Sequence, residues 1–251
     1  MNFSYYEIYI TSLRAFNGMG FPFGADEDAA FMTTWLELYR FQGIKKLAKL
    51  SKKIDKKFDA KIDLEKIKSS SLINIDHSSL LMKGPGLFDY FYQETKKNHY
   101  IKIILNNCID PIFLIPLAQR LSEKLDFVSA CWKNDKNKTI GIKIIKNKTL
   151  VGELKSKIVP PKKQVFLQFS TNKKSSKIEK FNFHKIEYEI NAKFKQQCLE
   201  KSLNPNADDW KIISKLAHRT FVPESEESRQ KVQEEEMIMI RQLRFFFFFP
   251  E

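Results

Sequence analysis

The alternation of apolar and polar positions changes period along the chain, from near 3.6 over the first fifty residues to near two beyond Lys133. Ser4-Tyr-Tyr-Glu7 places a hydroxyl at a helix start and a carboxylate three residues on. This is a capping box, in which each side chain satisfies an orphan N–H. Ile8, Leu13 and Phe16 follow at roughly helical spacing, and Asn17-Gly18 closes that helix. A second helix begins near Asp26, where Asp26, Glu27 and Asp28 suit the positive end of the macrodipole. Ala29, Met32, Trp35, Leu36 and Tyr39 form its apolar stripe, and Gly43 ends it. Ile44, Leu47 and Leu50 carry a third helix whose far side is a lysine run.

Ten lysines fall between Lys45 and Lys68, a solvated helix face running into the loop Ser69-Ser70-Ser71. Pro85 at a first-turn position predicts a short aromatic helix from Leu87 to Tyr92. Tyr100 to Leu105 alternates as a strand. Asp110-Pro111 starts a helix that runs to about Lys124, and Phe127 to Trp132 is the next strand. Thr139 to Ile145 and Thr149 to Leu154 flank a hairpin turn at Lys146-Asn147-Lys148, and Val165 to Phe169 and Phe183 to Ile190 are further strands. Helices of about Lys193 to Ser202 and Ala207 to Phe221 follow, the second stopped by Pro223. This order predicts an α+β fold with an N-terminal helical pair, a central, mostly antiparallel sheet and C-terminal helices, in one domain over residues 1–229. Residues 230–251, with five phenylalanines from Phe245 to Phe249, read as a disordered or frameshifted tail. A membrane-touching amphipathic tail is the alternative.

Composition narrows the classes. The chain is 43% hydrophobic and 29% charged, which excludes a collagen and a chain disordered throughout. The net charge of +13 is carried by 36 lysines against 7 arginines. Lysine, isoleucine and asparagine are residues of A/T-rich codons, so this charge reads first as a Lys-rich surface. The cysteines Cys108, Cys131 and Cys198 are odd in number and form no C-x-x-C, so neither a disulfide framework nor a zinc ribbon is suggested. The start has no cationic stretch followed by an apolar run. The longest apolar stretch, Ile109 to Ala118, is broken by Asp110, Pro111 and Pro116. Cytoplasm is the expected compartment.

The densest glycine cluster is Gly18-Met-Gly20-Phe-Pro-Phe-Gly24, followed by Ala25-Asp26-Glu27. A helix precedes it, so it is not a dinucleotide fingerprint, and no Gly-Lys-Ser/Thr makes it a Walker loop. A glycine-rich turn into a helix N-terminus cradles anions, but three carboxylates stand where the anion would go. A tight helix–helix connection is the plainer reading. The run from Arg14 through Gly18-x-Gly20 and Gly24-Ala-Asp-Glu27 to Trp35-Leu36 resembles the opening of a bacterial family of unknown function, domain of unknown function 3726. Ala217-His-Arg219-Thr-Phe-Val-Pro223 with Ser228-Arg229 resembles that family's closing stretch, and Gly84-Pro-Gly86-Leu-Phe-Asp89 is a weaker match. The resemblance implies no mechanism. Such sequences tend to continue after Ser-Arg into a glycine-rich repeat, whereas here Arg229 is followed by Gln-Lys-Val-Gln-Glu-Glu-Glu.

Arginine is scarce, so its positions are informative. Arg14, Arg219 and Arg229 lie within the two motifs, where lysine would have supplied charge but not a planar five-donor fork. They are the candidates for holding a carboxylate or phosphate; an internal ion pair of Arg219 or Arg229 with Asp26 or Glu27 is the bland alternative. The histidines His77, His99, His184 and His218 show no metal-pair spacing. Asp76-His77-Ser78-Ser79 reads as a solvent-facing turn rather than a triad. Cys108 precedes the Asp110-Pro111 helix start, which would lower its pKa, although core packing is the commoner fate.

The resulting expectation is a cytoplasmic protein that binds or processes a small anionic metabolite where the Gly18–Glu27 turn meets the Arg219–Arg229 segment. Arg14, Arg219 and Arg229 would fix the anion, and Gly18, Gly20 and Gly24 would shape the turn. Asp26 or Glu27 would act as base or orient an arginine, and Trp35 would wall the pocket. A non-catalytic interaction module is one rival. A single-stranded nucleic-acid binder using Lys133 to Lys185 is the other. The sequence names no cofactor, metal set, reaction or oligomeric state.

Overall fold

A computed structural model of the chain describes residues 2–63, 65, 67, 71–146, 148–155 and 160–221. Three helices open it, α1 (Tyr5–Gly18), α2 (Ala25–Leu38) and α3 (Gly43–Ile54). The short strand β1 (Leu72–Asn74), the long helix α4 (Leu80–Asn98) and β2 (Tyr100–Asn106) follow. A 3-10 turn at Pro111–Phe113 leads into α5 (Leu114–Leu121). Five strands come next: β3 (Phe127–Lys133), β4 (Thr139–Ile145), β5 (Lys148–Leu154), β6 (Val165–Ser170) and β7 (Phe183–Ile190). Helices α6 (Ala192–Leu199) and α7 (Ala207–Ala217) and a 3-10 turn at His218–Thr220 complete the described residues. The fold is α+β, with a seven-stranded sheet in the order β1-β2-β6-β3-β4-β5-β7. Only β1 and β2 pair in parallel among the described strands, Leu72 opposite Ile104; every other pairing is antiparallel.

Local chemistry explains most boundaries. The capping box at α1 forms: the Glu7 N–H donates to Ser4 Oγ at 3.2 Å and the Ser4 N–H donates to Glu7 Oε2 at 2.7 Å. Gly24, with φ 85°, precedes α2, a torsion that a side chain resists. Gly43 opens α3 instead of ending α2. Arg40 and Gln42 make the turn at φ 66° and 57°, and a Cβ on Gly43 would stand 2.0 Å from the Thr33 carbonyl oxygen. Pro85 does not start a short helix. It lies inside α4, which begins where Ser79 Oγ accepts from the Leu81 N–H at 3.1 Å. A proline there forgoes one backbone bond. Burial of Leu80, Leu81, Leu87, Phe88 and Phe91 along the same helix outweighs that loss. The Asp110-Pro111 start yields a 3-10 turn and a helix that stops at Leu121, short of Lys124.

Helices α4 and α5 cover one face of the sheet, and α1, α2, α3 and α7 form a further helical layer behind them. Val128, Ala130, Ile142, Leu167 and Phe169 face the helices as part of one large core. The alternate residues Cys131 and Phe166 face the other way and meet Leu154 and Phe181 in a smaller cluster. Both faces of the centre are therefore covered, and β6 is buried at every position. That removes the alternation expected of a half-exposed strand. Among the described residues, no helix is long and apolar enough to cross a membrane.

Candidate functional site

The two motifs converge. Gly18, at the end of α1, lies against α7 and the turn after it: a Cβ there would be 2.3 Å from the Leu216 carbonyl oxygen and 3.3 Å from Arg219 Cβ. Arg14, one turn earlier on the same helix face, is exposed, with its guanidinium 5.2 Å from the centre of the Phe221 ring. Arg219 Nη1 donates to Asp55 Oδ1 at 2.7 Å, so its carboxylate partner is the residue that caps α3, not Asp26 or Glu27. Gly20, with φ 88°, sits beside the stem of Lys56. The acidic start of α2 lies near Tyr9, whose hydroxyl is pushed up by burial and then by Glu27, Asp26 and Asp28. Asp26 is buried and accepts from the Glu27 N–H at 2.9 Å, Glu27 is exposed, and Asp28 pairs with Arg120 at 3.0 Å. Trp35 is packed in the core between Tyr39 and Phe41. Arg229 lies outside the described residues, as does the whole of 222–251.

A second arrangement sits at the carboxyl ends of β1 and β2. Because these strands run parallel, their following loops emerge side by side, one leading to Ser79 and α4, the other to Asp110 and the 3-10 turn. Asn74 ties the loops together: its Oδ1 accepts from Asn107 Nδ2 at 2.9 Å and from the Asp76 N–H at 3.1 Å. Asp76, His77 and Asn107 all have left-handed backbone, at φ 54°, 59° and 58°. Such torsions in residues other than glycine persist only where the surroundings impose them.

Asp110 ends the second of these loops. It stands at the N-cap of the 3-10 turn but makes no capping bond, and its Oδ2 is buried without a hydrogen-bond partner among the described residues. Burial raises its carboxyl to about 6, while Lys53, Lys46 and Lys49 of α3 and the Ser79 hydroxyl pull the other way. A half-buried acid with one shielded oxygen, in the field of three lysines, is an unusual local charge pattern. The sequence carried one signal for it: Asp110 is the lone charge inside the longest apolar stretch. Cys108, two residues earlier, departs from the expectation of a lowered pKa. Burial pushes its thiol up to about 12, outweighing the Asp110 N–H that favours the thiolate.

Two surface clefts lie elsewhere. One of about 340 Å³ runs between Phe3–Tyr5 and Cys198–Ser202. The other, about 500 Å³, lies between Tyr90 and Glu94 of α4 and Tyr100–Ile103 of β2. Neither is lined by Arg14, Arg219 or Asp110. No group of His, Cys, Asp and Glu suited to a metal ion occurs among the described residues.

Residues 3–79 match the family described as Protein of unknown function (DUF3726), the family whose opening the Arg14–Trp35 stretch resembles. The Arg219 segment lies beyond the matched residues. No curated protein matches the sequence. Solved structures with a similar fold include a putative malate/lactate dehydrogenase from E. coli, with TM-score 0.59 and 8% identity, covering 94% of this chain and 99% of that one. Malate dehydrogenase from Pyrococcus horikoshii is similar at TM-score 0.56 and 9% identity, covering 90% and 97%. Sulfolactate dehydrogenase from Methanocaldococcus jannaschii gives 0.55 and 10%, covering 87% and 97%. At these identities the likeness is one of fold.

Proposed function

We propose that this protein binds a small anionic metabolite at the junction of the β1 and β2 loops, beneath the lysine face of α3. The observation that carries the reading is Oδ2 of the half-buried Asp110, shut away without a hydrogen-bond partner among the described residues and within the field of Lys46, Lys49 and Lys53 of α3. The lysines supply the attraction for an anion, and the loops emerge where parallel strands commonly present ligands. The named substrates of the similar folds, malate, lactate and sulfolactate, are small acid anions of this kind. A thermal-shift series on the full chain tests it, using L-malate, L-lactate, sulfolactate, inorganic phosphate and a single-stranded oligonucleotide. A true ligand at ~100 times its Kd stabilises by about 2.7 kcal/mol. Replacement of Lys46, Lys49 and Lys53 by glutamine should abolish that shift. A salt-sensitive response to the oligonucleotide alone would overturn the reading in favour of nucleic acid.

A second reading places the anion at Arg14 and Arg219, because the contact of Gly18 with the Arg219 stem joins the two motifs. There the anion would have to displace Asp55 from Arg219. Arg219→Lys discriminates: it weakens binding in this reading and leaves it unchanged in the first.

A further inference from the structure

We infer, resting on the first reading above, that Asp110 takes up a proton when the anion binds and holds it as a neutral acid, the Oδ2–H donating to a ligand oxygen. Three observations carry this. Oδ2 is shut away from water with no partner among the described residues, and an orphaned buried acceptor is an unfavourable arrangement that a bound group relieves. Asp110 stands at an N-cap position yet leaves the backbone N–H groups of its turn unbonded by its side chain, so capping does not account for its burial. The lysines of α3 supply more positive charge than one carboxylate balances.

An ionised Asp110 would repel an incoming anion, whereas a neutral one offers a donor and frees the lysines to attract the ligand. In the free protein the groups around Asp110 favour its ionised form against the effect of burial, and an anion that engages the lysines removes that hold. Lys46, Lys49 and Lys53 approach from α3, and Lys49 also pairs with the exposed Asp135 at 3.5 Å. The Ser79 hydroxyl approaches from the start of α4, and the Cys108 thiol from Asp110's own loop. His77, exposed on the loop after β1, is the histidine of that loop. Burial already brings Asp110 to about 6, within reach of protonation near neutrality. The proton comes from solvent and buffer, and no covalent bond of the ligand is made or broken.

Titration calorimetry of the full chain with L-malate, in two buffers of different ionisation enthalpy, tests the inference. At about pH 7.5 the wild type should take up close to one proton per malate, and its affinity should fall about tenfold per pH unit above about 6. Asp110→Asn should bind malate with no proton uptake and a flat profile over the same range, while His77→Gln should behave as wild type. Binding by the wild type without proton uptake overturns the inference and leaves the anion reading standing. Uptake lost in His77→Gln reassigns the proton and overturns it equally. No binding of malate by the wild type at any pH removes the inference together with the reading on which it rests. The wild-type buffer comparison together with His77→Gln decides the matter even if Asp110→Asn fails to fold.

Discussion

The side-chain amide of Gln168 holds the backbone of Glu179 from both ends: its Oε1 accepts from the Glu179 N–H at 2.8 Å, and its Nε2 donates to the Glu179 carbonyl at 3.1 Å. Its remaining capacity goes to the Tyr100 hydroxyl at 3.0 Å and to Ser129 Oγ at 3.1 Å. A fully buried amide in β6 thus meets all four of its hydrogen-bonding demands while pinning the chain between β6 and β7 to the outer face of the sheet. Glu179 in turn pairs with Lys102, whose ammonium lies 5.0 Å from the centre of the Phe166 ring. Phe181, two residues on, closes over that ring.

Gln168→Leu should therefore destabilise the protein by about 2–4 kcal/mol, because it strands Ser129 and both backbone groups of Glu179 while keeping the volume. Urea unfolding measures the loss. Amide exchange should quicken across residues 171–182 and stay slow in β3, which keeps its own ladder bonds.

Gly18 and Gly24 separate two reasons for a glycine. Gly18→Ala drives a Cβ into the Leu216 carbonyl and should cost about 1–3 kcal/mol as α1 and α7 move apart. Gly24→Ala meets nothing within 4 Å, so only its φ of 85° opposes the change, and about 1 kcal/mol is expected. Equal losses in denaturant unfolding would contradict this division.

Asp110 should make its own mark on stability. Its folded pKa is raised, so the native state binds a proton more tightly than the unfolded chain does. Its contribution is thus most favourable below about 4, declines as pH rises to about 6, and stays reduced above. Asp110→Asn removes the titration. The variant's stability minus the wild type's should rise across that window by up to about 3 kcal/mol, read from unfolding curves at each pH.

The thiols should be inert in the native protein. All three are buried; burial pushes Cys108 and Cys131 up to about 12 and also raises Cys198. A disulfide reagent at about pH 8 should react with none of them until denaturant is added, since the thiolate is the reactive form.

What the sequence disclosed follows the range of each signal. The capping box, the stripes of α1 to α3 and the hairpin at Lys146 depend on neighbours a few residues away, and they stand where their spacing put them. The strand β1 spans three residues, too few to display a period of two, and its identity comes from its partner Ile104–Asn106. Pro85 misdirects because a local rule competes with burial along an entire helix. Gly18 meets the stem of Arg219, and the partner Asp55 was out of reach of any spacing argument. Asp110 looks like a helix cap in sequence. Its environment arises only when α2, α4 and α5 pack around the 3-10 turn and the lysines of α3 come within range.

The chain also closes on itself. Phe3 and Leu203 exchange both backbone bonds, at 2.9 and 2.8 Å, and the Phe3 ring rests 4.3 Å from Trp210. Helix α1 then lies along α7. Phe3 and the α7-facing side of α1 therefore wait for a segment about two hundred residues later in the chain before they find these partners. Until then α1 is covered on its α2 side alone, so part of its surface waits on a segment made much later.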